Sequence, residues 1–382
     1  DPAVGSGAFP MGMLSEIVSA RYSLQPFLPN EQTIYDLKLH TIGQSLYGVD
    51  LDPSAVDIAR LRFWLSLIIE EDTPTPLPNL EHKLMQGNSL LSSYEGVELF
   101  NDQFLANDDS RKEKFKILDG EIKTYEDELK NGVNTNDIQR VREIKKHLIG
   151  LGKQKNKIQA ENITSPTTQM LFEKDDALSR IKKQVDLLQF KIAQFLLPDG
   201  NHNKEDLKVE IENIKWDLIE ASVDSEGAAK AAQRLKDRRI QPFFLWKLEF
   251  IDVFRNNNGF DIVIGNPPYI QLQKTINEAS KIKLGDLYSA SKYETFTKTG
   301  DIYVLFYEMG IKLTKKSGQL SFITSNKWMR AGYGASLRKF LCKYELKSLI
   351  DFAGCSVFSN ATVDVNILTI KNSTPNHSLV AT

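Results

Sequence analysis

The strongest guide to the fold is a short and almost entirely apolar run, Phe260–Gly265 (FDIVIG). A strand with apolar side chains on both faces must be covered on both faces, which is typical of a central strand in a parallel sheet. Runs of similar texture alternate with amphipathic segments along much of the chain. This alternation predicts an α/β fold with an open, mostly parallel sheet. The predicted strands are 45–50, 82–87, 260–265, 318–324, 346–352 and 363–370, and the predicted helices include 13–20, 53–70 and 302–313.

Residues 101–241 interrupt this alternation with a highly charged segment that contains few Gly or Pro. Apolar side chains in Leu178–Phe195 recur at 3,4,3,4,3 spacing, as in the seam of a coiled coil. After a Pro-Asp-Gly-Asn break, Leu207–Leu218 resume at 4,3,4 spacing, so we expect an antiparallel helical hairpin. Similar stripes at 115–129 and 138–151 predict a second hairpin. We expect the charges to form a solvated helix surface.

The predicted organisation is one α/β domain in two halves, residues 1–100 and 242–382, with residues 101–241 as a long α-helical coiled-coil insertion. The chain starts at Asp1 without a methionine or a signal peptide, so we expect it to be a part of a longer protein.

Composition excludes several classes of protein. The 382 residues include 48 Lys and Arg against 50 Asp and Glu, and the net charge of −2 excludes a uniformly basic nucleic-acid binder. A local basic patch is still compatible with that balance, because phosphate contacts need only one face. Two Cys exclude a disulfide scaffold and a four-cysteine zinc site, and they suit a reducing, cytoplasmic compartment. The sequence has no cluster of metal ligands and no apolar run of the ~20 residues that a membrane helix needs, so we expect neither a metal nor a membrane.

The first candidate site is the turn Asp1–Phe9 (DPAVGSGAF), in which Gly5 and Gly7 precede a predicted helix. Glycines let a ligand approach the backbone closely, and a helix start exposes unpaired amides. The dinucleotide fingerprint has a third glycine where this chain has Pro10, which argues against a nicotinamide cofactor. The carboxylate of Asp1 suits a cationic or amino-bearing ligand better than a pyrophosphate. A plain turn at a helix start is the alternative.

Two further candidate sites follow predicted strands. Asp50, in GVDLDP, stands at the carboxyl end of a strand, where such sheets grip ribose hydroxyls with a carboxylate. Leu51 is placed to cover one face of an adenine, whereas Asp52 is interpreted as a helix cap. Asn88, in GNSLL, is placed to bond the exocyclic amine of that adenine, with a turn asparagine as the alternative.

The most informative motif follows the apolar strand and reads Gly265-Asn266-Pro267-Pro268-Tyr269. Consecutive prolines lack N–H donors and stiffen the chain, which presents the Asn266 side-chain oxygen and the Pro267 carbonyl as fixed acceptors. Tyr269 adds a flat aromatic face. Two acceptors beside a ring suit a planar substrate that carries an NH2 group, and a rigid turn after a strand is the alternative.

The motifs DPAVGSGAF, GVDLDP, GNSLL and GNPPY, in this order, resemble those of N6-adenine DNA methyltransferases of the gamma arrangement. The resemblance covers residues 1–100 and 242–382 and points to the methyltransferase part of type IIG restriction–modification enzymes, for which FFLWKLEF…GFDIVIGNPPYI and the long insertion are also typical. It implies a Rossmann-like, S-adenosylmethionine-dependent methyltransferase sheet with a cofactor-binding half before the insertion and a catalytic half after it. It also implies adenine-specific methylation of double-stranded DNA, and a restriction or specificity domain in the parent chain.

The resemblance assigns a role to each motif residue. The residues assigned to S-adenosylmethionine are Asp1, Gly5 and Gly7 for its methionine part, Asp50 for its ribose, and Leu51, Phe306 and Asn88 for its adenine. The residues assigned to a flipped target adenine are Asn266 and Pro267 as acceptors for N6, and Tyr269 and Phe358 as stacking partners on its two faces. Asn88 stands where the family often has aspartate, and a core phenylalanine is the alternative for Phe358.

Two other functions stay open from the sequence: methyl transfer to a protein glutamine or an RNA amine, and an inactive fragment that binds DNA or a partner. No cysteine lies in a motif, so a covalent mechanism at cytosine C5 is unsupported. Basic residues after the catalytic strand are candidate phosphate contacts, with a solvated surface as the alternative for each: Lys327, Arg330, Arg338 and Lys339.

Overall fold

The computed structural model describes residues 1–27, 32–70, 78–94, 97–100, 102–105, 177–196, 203–223, 226–238, 242–277, 281–355, 357–358, 363–375 and 379–381. The chain divides into two compact units, one of Asp1–Asn101 with Phe195–Thr382 and one of Asp102–Gln194. The stripes predicted at 115–129 and 138–151 lie outside the described residues.

The helices of the described residues are α1 (Ala8–Leu24), α2 (Ile34–Ser45), α3 (Pro53–Ile68), α4 (Ala177–Leu196), α5 (Lys204–Ser222), α6 (Glu226–Arg238), α7 (Trp246–Glu249), α8 (Ile251–Asn257), α9 (Leu284–Leu287), α10 (Tyr303–Leu313) and α11 (Ala335–Leu341). Asp52 caps α3 as expected, because its Oδ1 accepts a hydrogen bond from Ser54 N at 2.9 Å. Pro53 then occupies the first turn, where its missing N–H has no cost.

Two helices of the predicted insertion are present. The stripe at 178–195 forms α4, and the stripe at 207–218 forms α5. Coiled-coil pairing remains a prediction, since α4 and α5 fall largely in different units. The expectation of solvated charges is wrong for Lys215 on α5, which is 2% exposed and whose Nζ donates to both carboxylate oxygens of Glu249 at 3.1 Å. A buried ammonium needs such a partner to offset its lost hydration.

The strands of the described residues are β1 (Gly48–Asp50), β2 (Leu84–Gln86), β3 (Ser93–Tyr94), β4 (Val97–Glu98), β5 (Phe260–Gly265), β6 (Thr314–Ser325), β7 (Glu345–Asp351), β8 (Val365–Lys371) and β9 (Val380–Ala381). β1 and β2 form a parallel pair, and β3 and β4 form an antiparallel pair. The other five strands form one sheet in the order β5-β6-β8-β7-β9.

The five-stranded sheet is mixed, which corrects the expectation of a mostly parallel one. β5 is parallel to β6 and β7 is parallel to β9, whereas β8 is antiparallel to both of its neighbours. An apolar run reveals burial but not direction. Parallel neighbours need a crossover, usually a helix. The described residues between β7 and β8 contain no helix, and β8 starts at the end of the sheet where β7 finishes, which makes the two strands antiparallel.

The first strand is also shorter than expected. α2 continues to Ser45, so β1 begins at Gly48. Asp1 extends the ladder of β1, because its N donates to Tyr47 O at 2.9 Å and its O accepts from Val49 N at 3.0 Å. This pairing brings the glycine turn beside the carboxyl end of β1.

Helices α1, α2 and α3 pack on one another through a common apolar core. Its fully buried side chains include Leu14, Leu37, Ile42, Phe63 and Leu67. This packing holds the start of α1, and with it the glycine turn, in a defined position. Within the described part of the chain, no helix combines the length and the apolar character that crossing a membrane requires.

Candidate active site

The glycine turn at the start of α1 depends on backbone angles that other residues avoid. Gly5 has φ of +50° and Gly7 has φ of +84°, both in the left-handed region. A Cβ at Gly7 would lie 3.0 Å from the Cβ of Ala59 on α3, whereas a Cβ at Gly5 would meet no atom within 4 Å. Gly7 therefore lets two helices approach closely, and Gly5 faces open space.

Asp50, the last residue of β1, is hydrogen-bonded to this turn. Its Oδ2 accepts from Gly5 N at 2.7 Å, and its Oδ1 accepts from Asp52 N at 3.0 Å. Its carbonyl accepts from Gly87 N at 2.8 Å, which ties in the loop that follows β2. The carboxylate is held by two backbone amides while its side chain stays partly exposed. The glycine turn, the residues after β1 and the loop after β2 therefore meet at the carboxyl ends of β1 and β2.

The contact between Asp1 and Gly265 joins the glycine turn to the Asn-Pro-Pro-Tyr corner. A Cβ built at Gly265 would lie 2.6 Å from Asp1 Oδ1 and 3.2 Å from its Cγ, so the carboxylate lies directly against this backbone. The same Oδ1 accepts from Ala3 N at 3.0 Å. Asn266 is the next residue along the chain. The candidate cofactor turn and the candidate catalytic corner are therefore immediate neighbours.

The corner itself is partly open. Asn266 and Tyr269 are half-buried, and Pro267 between them is buried. The Tyr269 hydroxyl donates to Asn266 Oδ1 at 2.9 Å and lies 3.4 Å from Ile323 O on β6. Burial raises the pKa of Tyr269 to about 12, so its hydroxyl remains a donor at neutral pH. A carbonyl oxygen has two lone pairs, so Asn266 Oδ1 keeps capacity for one further donor.

Asn88 is engaged in two ways. Its Oδ1 accepts from Leu90 N at 3.2 Å, which is the turn geometry that the sequence left as the alternative. Its Nδ2 also lies 3.2 Å from the hydroxyl of Tyr288, which is 4% exposed. The contact of Asn88 with a cofactor adenine stays a prediction.

The remaining predicted residues differ in exposure. Leu51 is 61% exposed directly after β1, and Phe306 is 6% exposed on α10. Their predicted sandwich of an adenine stays a prediction. Phe358 is half-buried in the short described stretch 357–358, and its stacking role also stays a prediction.

Several residues that the sequence did not single out support the site. Ser89 Oγ donates to Pro2 O at 2.6 Å, and Trp246 Nε1 donates to Ser89 O at 3.1 Å. Both bonds are buried: the first fastens the loop after β2 to the glycine turn, and the second fastens the same loop to α7. Trp246 belongs to the aromatic stretch FFLWKLEF, whose density of aromatic residues is a signal for burial.

The expectation that Arg338 is a candidate phosphate contact is not supported by its bonding. One guanidinium nitrogen donates to Trp328 O at 2.6 Å and to Ala331 O at 3.2 Å, so this side chain stabilises a turn. Lys327, Arg330 and Lys339 are exposed. Spacing in the sequence does not distinguish a cation that bonds to the backbone from one that faces solvent.

A cavity of about 430 Å³ lies along the body of β5 rather than at its carboxyl end. Its lining is largely apolar and includes Ile17, Val253 and Ile264, but not Asn266 or Tyr269. The Asn266–Tyr269 corner therefore lies outside this cavity, whereas Asp1 contributes to its lining. Among the residues that the structure describes, no group of three or more His, Cys, Asp and Glu is arranged to hold a metal ion.

Comparison with protein families places this geometry in context. The family model described as the Eco57I restriction-modification methylase matches residues 44–358, which is most of the chain. The chain belongs to this family. The resemblance inferred from the four motifs is thereby confirmed, and the Asn-Pro-Pro-Tyr corner lies inside the matched region.

Two curated relatives and one solved structure are similar to parts of this chain. RM.MjaORFECS2P of Methanocaldococcus jannaschii, provisionally named a type II restriction enzyme and methyltransferase, is 28% identical over 98% of this chain and 30% of its own length. RM.Eco57I of Escherichia coli, a type II restriction enzyme and methyltransferase, is 36% identical over 28% of this chain and 10% of its own length. This chain thus spans less than a third of either relative. The solved structure of the type IIL restriction-modification enzyme MmeI in complex with DNA covers 54% of this chain and 31% of its own at 14% identity, with a TM-score of 0.26.

Proposed function

We propose that the protein transfers a methyl group from S-adenosylmethionine to N6 of an adenine flipped out of double-stranded DNA, as the modification activity of a restriction–modification enzyme. The observation that carries this proposal is the contact of Asp1 with Gly265, because it sets the glycine turn directly beside the amine-binding corner. A methyl donor held at the turn is then adjacent to an acceptor held at the corner.

The residues at the turn fit a cationic cofactor that carries a ribose. Space is open above Gly5, and the carboxylates of Asp1 and Asp50 flank it. Asp1, Gly5 and Gly7 would hold the methionine part, Asp50 the ribose hydroxyls, and Leu51 with Phe306 the adenine. Two carboxylates attract a positively charged group and repel a pyrophosphate. When bound, S-adenosylmethionine supplies an electrophilic methyl group on a sulfonium.

The corner would prepare the target amine. The N6 lone pair is delocalised into the adenine ring, so the nitrogen is a poor nucleophile. Asn266 Oδ1 and Pro267 O would accept its two hydrogens and stabilise the positive charge that develops on nitrogen. Loss of one preorganised hydrogen bond of this kind costs about 3–4 kcal/mol of barrier. The existing bond from Tyr269 fixes the position of Asn266 Oδ1 before substrate arrives.

The target atom is inaccessible inside a duplex, so the base must leave the stack. Stacking on Tyr269, and on Phe358 from the other face, would offset that cost by about 1–3 kcal/mol for each ring. Tyr269 makes an edge contact with Tyr303, with ring centroids 5.9 Å apart, which holds its ring in place. The exposed cations Lys327 and Arg330 follow β6 and are the candidates for contacts to phosphates.

The test uses the whole chain and two pairs of variants. Asn266→Ala should lower the rate of methyl transfer by about 100- to 1,000-fold while affinity for S-adenosylmethionine stays within about twofold. Tyr269→Ala should also lower transfer strongly, because the stacking face is lost. Asn257→Ala and Tyr22→Ala are the matched controls: the first removes an amide bonded to Gly259 O, away from the corner, and the second removes a tyrosine that is 55% exposed on α1.

The substrate is identified with S-adenosylmethionine carrying a tritiated methyl group. Unmethylated genomic DNA, total RNA and a protein mixture are incubated separately, and the products are digested and chromatographed. Label in N6-methyl-deoxyadenosine supports the proposal. Label in protein or RNA would identify a methyl acceptor other than DNA adenine. Absence of cofactor binding would point to a non-catalytic fragment. Undiminished adenine methylation by Asn266→Ala would refute the catalytic role assigned to the corner.

A further inference from the structure

Two tyrosine hydroxyls fasten the segment after the corner to the loop after β2. Tyr288, which follows α9, meets the side chain of Asn88, and the Tyr293 hydroxyl donates to Leu90 O at 2.8 Å. These bonds span about 200 positions of sequence. The catalytic half of the chain therefore reaches back to the loop that contains the candidate adenine contact.

Tyr288 completes the hydrogen bonding of the Asn88 carboxamide, whose orientation is set by Leu90 N because an N–H donates only to the oxygen. Asn88 Oδ1 accepts from Leu90 N at 3.2 Å, which alone leaves the other end of the amide without a protein partner. Tyr288 supplies it, since its hydroxyl lies 3.2 Å from Nδ2 and 3.3 Å from Oδ1. Burial raises the pKa of Tyr288, so the hydroxyl stays protonated at neutral pH and retains both donor and acceptor capacity.

The segment that contains Tyr288 is itself anchored at the corner. Ile302 N donates to Ile270 O at 2.8 Å, directly after Tyr269, and Leu272 N donates to Gly300 O at 3.0 Å. The fully buried carboxylate of Glu308 accepts from Thr295, through its N at 2.9 Å and through its Oγ1 at 3.0 Å. The position of Tyr288 therefore depends on the same backbone that shapes the corner.

We propose that Tyr288 is a positioning residue for cofactor binding, which acts by holding the Asn88 carboxamide for the adenine of S-adenosylmethionine and so couples the cofactor loop to the base-binding corner. This inference rests on the proposed function. Asn88 would touch the cofactor, whereas Tyr288 acts through Asn88.

The experiment is a double-mutant cycle on the whole chain, with S-adenosylhomocysteine as the calorimetric probe of affinity. Tyr288→Phe removes only the hydroxyl and should raise Kd by about 3- to 10-fold, as expected for one net hydrogen bond. The KM for S-adenosylmethionine should rise equally, with kcat within about twofold. Asn88→Ala should raise Kd at least as much, and the double variant should bind no more weakly than Asn88→Ala alone, because both changes remove one interaction.

Tyr293→Phe is the matched control, because it removes a tyrosine hydroxyl of the same segment that bonds to backbone and not to Asn88. It should lower the melting temperature and leave Kd within about twofold. Asn88→Gln provides an independent route if Tyr288→Phe fails to fold: the longer side chain keeps an amide but cannot satisfy Leu90 N and Tyr288 together, so Kd should rise.

Each outcome is decisive. A Tyr288→Phe protein that folds and binds with unchanged Kd overturns the inference, as do additive effects in the cycle, an equal rise in Kd for Tyr293→Phe, or normal binding by Asn88→Gln. If the chain without substitutions binds no S-adenosylhomocysteine, the proposed function is overturned instead.

Discussion

The contact between Asp1 and Gly265 makes a specific prediction for Gly265→Ala. The added Cβ would lie 2.6 Å from Asp1 Oδ1, whereas ordinary contact begins at 3.4 Å, so the carboxylate must move by about 0.8 Å. The atom displaced is the end of a side chain, so the fold can adjust at low cost. Alanine is also favoured over glycine in a strand by about 0.5–1 kcal/mol. We therefore expect the free energy of unfolding to change by no more than about 1 kcal/mol.

Activity should respond much more strongly than stability. Displacing the carboxylate removes one charged hydrogen bond to the proposed cofactor, which contributes about 1.5–3 kcal/mol. That loss corresponds to a rise in Kd for S-adenosylmethionine of about 10- to 150-fold. A shift approaching 1 Å next to the reacting atoms can also cost about 100-fold in rate.

The assay combines calorimetric titration of S-adenosylmethionine, transfer of a tritiated methyl group to DNA, and thermal unfolding. Gly43→Ala is the matched control, because Gly43 lies within α2 and a Cβ there would meet no atom within 4 Å. It should raise stability by up to about 1 kcal/mol and leave binding unchanged. If Gly265→Ala binds cofactor and methylates DNA as well as the unsubstituted chain does, the proposed adjacency of donor and acceptor is wrong.

Three other perturbations test the structure. Gly5→Ala and Gly7→Ala each place alanine at a left-handed backbone angle, which costs about 1–2 kcal/mol. Gly7→Ala should lower the melting temperature more than Gly5→Ala, since only the Cβ at position 7 would press on α3. Equal losses of melting temperature would contradict the close packing of α1 on α3. Lys215→Met should destabilise by about 3–5 kcal/mol in urea unfolding because Glu249 is left buried without its partner, while adding Glu249→Leu should recover most of that loss. Burial, followed by nearby cations, lowers the pKa of His82 from 6.5 to about 3. The unfolded chain therefore binds a proton at a higher pH than the folded chain, and stability should fall as pH drops from 6.5 towards 3. The melting temperature of His82→Gln should depend less on pH over that window, and parallel curves for the two proteins would refute this.

The sequence was a good guide wherever the relevant interaction is local. The 3,4 spacing of apolar residues placed α4 and α5, and Asp52 followed by Pro53 marked the start of α3. Such signals involve residues within one or two helical turns of each other, so they are visible in a linear pattern. The direction of β8 was not visible, because pairing with β6 and β7 depends on the path of the chain between strands.

The candidate site divides in the same way. The order of residues along the chain was enough to single out the glycine turn, Asp50 and the Asn266–Tyr269 corner, since each motif is a short stretch whose backbone conformation is encoded locally. That Asp1 lies against Gly265 and that Tyr288 bonds to Asn88 became apparent only from the folded chain. Both contacts join residues about 200 or more positions apart, and their partners are selected by sheet order and helix packing, which no pattern within a single segment records.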